Sequence, residues 1–439
     1  MQNLKELMQN NGILGGGGAG FPSYAKLAEG ANLLLINGAE CEPLLYTDYV
    51  ILRDEMPLVL SGISKVLEST GISKSLIAIK DHTAKRLGVL DGDKLSDKIY
   101  IRVLPDVYPM GDEISLIYQA TNRLIQPGKL PITEGVIVYN VETMYNLGRS
   151  VRFSEPVTKK WLTIGGDIKN PMVIKVPIGA KISDIFSKFG ITVDENHTVI
   201  DGGPSMGKII NPSTYDVTKT TKGILILPNY TEAIASKKIN KNLAVARAET
   251  ACCQCTRCTD MCPRHLLGYP LEPHKMVRTA MGVAEVLPEM VLSATLCCGC
   301  GICESLACNQ GISPKAVIEN YKGVLAKNKM RFSSSDIYEV RDERDYRMVP
   351  STRWMSMLGI TKFDKEAVFN GEYNDFNRIE ISLSSHIGAP SIPCVKDGDI
   401  VSEGDTIANQ GSGLSLPQHA SISGRVTLGI NKIIIDRIR

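Results

Sequence analysis

Eight of the chain's 12 cysteines fall into two runs whose spacing can do redox chemistry. Cys252, Cys255, Cys258 and Cys262, followed by Pro263, read C-x2-C-x2-C-x3-C-P, and Cys297, Cys300, Cys303 and Cys308 repeat the three-cysteine core about 45 residues later. Three thiolates spaced by two residues wrap one face of an iron–sulfur cube, and the more distant fourth crosses to the other cube. The expected ligand sets are therefore crossed: Cys252, Cys255 and Cys258 with Cys308, and Cys297, Cys300 and Cys303 with Cys262. Two [4Fe-4S] clusters on one chain make a carrier of single electrons. Structural zinc and disulfides compete for the same residues. Zinc sites pair two C-x2-C motifs across a spacer, which neither run does. Disulfides need an oxidising compartment, and the start MQNLKELMQNNG carries no apolar signal core, so a reduced, cytoplasmic chain is expected. Cys253 and Cys298 sit beside ligand positions, outside the spacing, and are expected to pack.

A second chemistry is suggested by GGGGAG, comprising Gly15, Gly16, Gly17, Gly18 and Gly20, ahead of Phe21, Pro22 and Lys26. Glycines before a helix let backbone N–H groups approach a phosphate, and the helix dipole favours the anion. A flexible loop is the competing reading, and the Walker lysine–serine pattern is absent. The segment NGAECEPLLYTD follows an apolar run and sets Glu40 and Glu42 at a strand's end, after Asn37, where open α/β sheets bind ligands. Gly111, Asp112 and Glu113, and Asn140, Val141, Glu142 and Thr143, are placed alike. Each of these pieces, standing alone, also reads as a helix cap or solvated loop.

The elements that must position these residues can be read from periodicity. Strands are expected at Asn32 to Ile36, Leu76 to Lys80, Ile99 to Leu104 and Gly135 to Asn140, with helices around Met56 to Ser69 and Glu113 to Thr121, which together imply an α/β layered domain. From Val157 to Pro228 short β-rich pieces, TIGGDI, MVIKVPIG and GILILP, surround one helix at Ile182 to Phe189, the texture of a small α+β module. The cysteine runs flank a helical stretch including His274 to Glu285 and Glu289 to Ala294. A polar, surface-exposed connection is expected near Phe332 to Asp345. The last roughly 60 residues alternate short strands with Asp-Gly and Gly-Asp turns, as in a compact barrel or sandwich.

At 439 residues three or four domains are expected. No segment reaches the roughly 18 uncharged apolar residues of a membrane span. A net charge of +2 and 6% aromatics argue against nucleic acid as a partner. The six histidines are scattered and are read as structural or surface residues, so no acid/base or nucleophilic constellation competes with electron transfer.

Taken in order, GGAGFP with Lys26, NGAECEP, YPMGDE and NVET resemble the flavin domain shared by the NADH-oxidising subunit of respiratory complex I and by RnfC-type electron-transfer proteins. Leu162 to Pro228 resembles the soluble-ligand-binding β-grasp (SLBB) module that follows it there. The motifs HIGAP (His386 to Pro390) and HASISG (His419 to Gly424) resemble the RnfC barrel-sandwich module, here at the C-terminus rather than the N-terminus. That order, with CCQCTRCTDMCPRHLLG, is similar to the cobalamin reductases of propanediol-utilisation microcompartments. The resemblance implies a multidomain α/β and α+β fold: an FMN/NADH domain at 1–148, the β-grasp module at 149–232, a ferredoxin-like dicluster domain at 240–328, a connection at 329–376 and the barrel-sandwich module at 377–439.

The resemblance further implies FMN held by Gly15, Gly16, Gly17, Gly18, Gly20, Lys26, Asn37, Glu40, Gly111, Asp112, Glu113, Asn140 and Thr143. Phe21 would flank the nicotinamide of NADH, the electron donor, and Glu42 would lie near the hydride-transfer face. The implied acceptor is a corrinoid or a corrinoid-handling enzyme such as an adenosyltransferase, with a microcompartment shell protein as a further partner. The alternative is an electron relay without its own substrate site, in an RnfC-like complex, a shell conduit or an amino-acid (proline) reductase system. Ala39, Asp112 and Tyr139 depart from the complex I pattern of aspartate, glutamate and asparagine, and Asn309 stands where a proline would follow Cys308. Gly411 to Gly424 holds no lysine, which argues against swinging-arm chemistry of the lipoyl or biotinyl kind and favours a structural or docking role for the last module.

Overall fold

The computed structural model describes residues 1–17, 20–280, 282 and 287–438. Its first layer is a five-stranded sheet in the order Lys94–Ser96, Ile99–Leu104, Lys74–Lys80, Leu33–Gly38, Val136–Asn140. All neighbours pair in parallel except the Lys94–Ser96 edge. The central strands are continuous apolar runs because helices cover both faces, as parallel sheets require. The strand order reverses between Leu33–Gly38 and Val136–Asn140, whose last paired residues are Asn37 and Asn140. This is the switch point at which such sheets open a crevice beyond their C-terminal ends.

One face of the sheet is covered by the helices Met56–Thr70 and Val141–Phe153. They approach so closely that a Cβ on Gly62 would lie 2.1 Å from the carbonyl oxygen of Met144, and one on Gly148 would lie 2.0 Å from that of Leu58. The second of these helices runs through the expected domain boundary at 148 to Phe153, since its buried face belongs to the first domain's core.

The next module is a six-stranded sheet with the helix Ile182–Lys188 against it. Its edge strand, Val368–Glu372, comes from the expected connection and pairs in parallel with Met172–Pro177. Val349–Pro350 pairs with Val107–Tyr108 of the first domain, and Trp354 is fully buried, stacked on Tyr108 at 4.7 Å between ring centroids. The expectation of a surface-exposed connection near Phe332 to Asp345 is therefore corrected at two points: Phe332 and Arg344 are buried, Phe332 packing with Leu267, Tyr269 and Leu296.

The cysteine region is helical, with Lys241–Ala251, Pro273–Ala280 and Pro314–Lys327 packed together. Of the expected helix His274 to Glu285, Met281 and 283–285 lie outside the described residues. The last module holds a four-stranded sheet, Arg378–Ser382, Lys432–Asp436, Gly424–Gly429 and Ile400–Val401, facing a three-stranded one, Ile392–Pro393, Thr406–Asn409 and Gln418–His419. Its core is continuous with that of the six-stranded module: Ile379, Ile381, Val426 and Ile433 pack in one cluster with Ile174, Ile185 and Ile226. Among the described residues no helix is long and apolar enough to cross a membrane.

Candidate redox site

At the switch point lies a solvent-open cleft of about 140 Å³. Its walls include Gly17, Asn37, Glu40, Glu42, Gly111, Asp112 and Asn140, all singled out in the sequence, together with Cys41, Leu45, Asp48, Pro109, Met206, Lys222, Cys298 and Cys300. The glycine loop lies against the first turn of the helix Val141–Phe153, where Gly16 N–H donates to Thr143 Oγ1 at 2.9 Å. A Cβ on Gly16 would sit 3.2 Å from Glu142 Cβ, one on Gly17 3.0 Å from the Asn140 amide, and one on Gly111 2.5 Å from Cys41 Cβ. The backbone here is bare because side chains would fill the cradle. Gly18 lies outside the described residues.

The polar residues are fixed by specific partners. Asn37 Nδ2 donates to Gly111 O at 3.0 Å, tying the central strand to the turn before the helix Glu113–Thr121. Glu40, at a left-handed φ of +35°, accepts the N–H groups of Asp48 and Tyr49 at 2.9 and 3.1 Å, capping the helix Thr47–Asp54 from outside. Burial, with the nearby Asp48 charge, pushes the Glu40 carboxyl up to about 7 against the pull of Lys222. Asp48 itself pairs with Lys222, and its Oδ1 is buried without a partner, as is Oε1 of Glu142, whose other oxygen pairs with Lys160. Glu42 accepts Ser205 and Met206 N–H at 2.8 and 3.0 Å, and burial raises its pKa. Asp112 caps Ser115 and forms an ion pair with Arg264 of the cysteine region at 2.6 Å.

Three expected residues are placed differently. Lys26 Nζ bonds Glu113 at 2.7 Å and Val138 O at 3.2 Å, so these two side chains satisfy each other beside the cleft. Phe21 closes the glycine loop through its carbonyl, which accepts Gly15 N–H at 2.9 Å, and is not among the cleft's walls. Lys222, Met206 and Asp48 were missed as cleft residues by sequence reasoning, and Cys298, expected only to pack, is part of the cleft wall. Lys222 and Met206 belong to the next module, and a signal for them would have been the GGPSMG turn after the strand His197–Asp201 and the TKTTK turn before the strand Gly223–Pro228.

The cysteines separate into two groups. Cys252, Cys255, Cys258 and Cys308 wall one small cavity with Cys253 and His274, and the first, second and fourth thiols lie close enough to perturb that of Cys258. Cys297 and Cys262 perturb the thiol of Cys303, which also feels Cys258 of the first group, and Cys298, Cys262 and Cys303 perturb that of Cys300. Among the described residues no three His, Cys, Asp or Glu side chains converge on one point as a single metal ion would need. Burial pushes the Cys258 thiol up to about 12 and raises Cys262 and Cys303, so ionising these sulfurs costs free energy that a bound cation would offset. The grouped thiols fit iron–sulfur cubes, and the glycine cradle with its unpartnered buried carboxylate oxygens fits the hydroxyls and phosphate-bearing chain of a flavin.

The two groups differ in position. Cys300 walls the cleft and Tyr108 OH donates to its carbonyl at 2.8 Å, making this the inner group. Cys253 and Cys255 are exposed, making theirs the outer group.

Comparison with known proteins matches residues 8–149 to the Nuo51 FMN-binding domain, 251–313 to a 4Fe-4S dicluster domain and 371–436 to the RnfC barrel sandwich hybrid domain. Cobalamin reductase PduS of Salmonella typhimurium is 35% identical over 97% of this chain and 94% of its own length, and that of Citrobacter freundii is 35% identical over the same shares. One component of the Na(+)-translocating ferredoxin:NAD(+) oxidoreductase complex of Acetobacterium woodii is 33% identical over 60% of this chain and 58% of its own.

Proposed function

Because the chain belongs to the PduS family of cobalamin reductases, we propose that it is an NADH-dependent oxidoreductase delivering single electrons to the cobalt of a corrinoid. FMN, when bound, splits a hydride's electron pair into single electrons, and two [4Fe-4S] clusters carry them one at a time. In this reading Gly15, Gly16, Gly17, Gly20, Asn37, Glu40, Gly111, Asp112, Asn140 and Thr143 hold the flavin, Lys26 and Glu113 brace the turn beside it, and Glu42 and Phe21 serve the nicotinamide side. Cys262, Cys297, Cys300 and Cys303 hold the inner cluster and Cys252, Cys255, Cys258 and Cys308 the outer one.

The observation that carries the reading is that one cysteine group shares a wall with the glycine-cradled cleft while the other reaches the surface. A chain so arranged sets the inner thiolates beside the flavin and meets its acceptor at the outer ones. The resemblance to the microcompartment enzymes supports a cytoplasmic location within or at a shell, with an adenosyltransferase or a shell protein as partner.

The test is anaerobic reduction of cob(III)alamin by NADH with purified, cluster-loaded protein. Turnover that requires added FMN after deflavination is expected. Reduction of viologen dyes with no corrinoid turnover would overturn the proposal and favour a relay, the reading for which the exposed outer group also speaks.

A further inference from the structure

The glycine loop is held from outside the flavin domain. Gly20 O accepts the backbone N–H of Ile387, in the C-terminal barrel, at 2.7 Å. A Cβ on Gly20, whose φ is +69°, would lie 3.1 Å from Thr220 Cγ2 and 3.7 Å from His386 Cα. Before the loop, Gly12 O accepts from Lys219 Nζ at 3.1 Å, and the same ammonium donates to Pro417 O at 3.4 Å. After it, Tyr24 OH donates to Ser415 O at 3.2 Å and accepts Ser415 N–H at 3.4 Å. Lys219 is 5% exposed and its hydrogen bonds run to carbonyl oxygens. A buried amine is costly without a counter-charge, so its use here is to pin backbone from two modules at once.

Among the described residues the barrel contributes nothing to the cleft wall, yet it is fused to the six-stranded module through a shared core. The segment Thr218 to Lys222 joins the two tasks. Lys219 grips the loop's base, Thr220 packs on Gly20, and Lys222 walls the cleft.

We propose that this strap and the barrel turn at His386 and Ile387 are positioning elements for the glycine loop, so that flavin affinity is set in part by a module lying outside the cleft. The proposal rests on the loop being part of the flavin site. A glycine run left free samples many backbone states, and the ordering cost would be taken from ligand binding. Pinned at Gly12, Gly20 and Tyr24, the loop has less of that cost left to meet when the flavin arrives.

The test uses full-length, cluster-loaded protein, stripped of flavin and titrated with FMN by fluorescence quenching, with iron content measured alongside. Ile387→Pro removes the donor to Gly20 and Tyr24→Phe removes the bonds to Ser415. Each is expected to weaken FMN binding about threefold to tenfold, the worth of one or two hydrogen bonds, with iron per chain unchanged. Ile387→Ala keeps the donor and is expected to bind as the parent does; a loss equal to that of Ile387→Pro would overturn the proposal. Gly16→Val tests the underlying reading separately. If it abolishes FMN binding while Tyr24→Phe and Ile387→Pro bind like the parent, the clamp is wrong; if Gly16→Val also binds normally, the loop is not the flavin site and the proposal falls with that reading.

Discussion

Replacing Cys308 by alanine separates the crossed ligand scheme from one in which each run serves a single cluster. Cys308 ends the second run in sequence but shares a cavity wall with Cys252, Cys255 and Cys258. Cys262 ends the first run but lies by Cys297 and Cys303. If proximity decides ligation, Cys308→Ala takes one of four thiolates from the outer cluster and none from the inner, and iron per chain falls from about eight towards about four. The fold should survive. Cys308 is half-buried, and at Cys262, 8% exposed, truncation adds about 1–2 kcal/mol of lost packing. Cys262 precedes Pro263–Leu266 as a cap that works without a side-chain hydrogen bond, so alanine leaves that backbone intact. The assay is iron and sulfide per chain with the EPR spectrum of dithionite-reduced protein, compared with Cys297→Ala and Cys255→Ala. Cys308→Ala should lose the signal that Cys255→Ala loses, and Cys262→Ala the signal that Cys297→Ala loses. The opposite pairing would refute the reasoning. In NADH-driven assays Cys308→Ala should retain reduction of the inner cluster without delivery to an external acceptor, whereas Cys262→Ala should interrupt both.

Arg264→Met leaves the half-buried Asp112 carboxylate without its ion-pair partner and should destabilise the junction of flavin and cluster domains by about 1–3 kcal/mol; thermal melts should show partial recovery in Arg264→Met/Asp112→Asn. Glu40 is raised to about 7 in the fold, so the folded state holds a proton that the unfolded chain releases near 4.3. Stability linked to Glu40 is thus full at low pH and lost as pH rises through about 7, and Glu40→Gln should flatten melting temperature against pH across that window. Lys219 is lowered by burial from 10.5 to about 7. The unfolded chain then binds the extra proton between those values, so stability rises with pH there, by up to about 1.4 kcal/mol per pH unit. Lys219→Met should remove that rise, and an unchanged slope in denaturant titrations would show that the amine is solvated.

The flavin-domain elements were legible because burial on both faces demands uninterrupted apolar runs. Ile99–Leu104 and Glu113–Thr121 fall at the expected bounds, and Leu33–Gly38 extends its expectation by two residues to the switch point. The helix Val141–Phe153 reads in sequence only as a cap or turn, since its polar residues Glu142, Thr143 and Ser150 are buried against partners, Lys160 among them, that local sequence does not reveal. The strand Val368–Glu372 is invisible there for a similar reason. A short run containing Gly371 carries almost no β signal until Met172–Pro177 offers it an edge.

The sequence alone determined the iron–sulfur chemistry, because thiol spacing is a covalent fact that limits which clusters a chain can build, whereas its glycine run read as a flavin cradle only through the family resemblance. It also drew the crossed cysteine sets. Tertiary structure alone decided which cysteine group borders the cleft and which reaches the surface, since that depends on how Tyr108, Trp354 and Ser205 pack three modules together. It alone brought Lys222 and Met206 into the cleft wall and the barrel's Ile387 onto the glycine loop. Those contacts join residues far apart in the chain, where hydrophobic burial sets proximity and no local pattern records it.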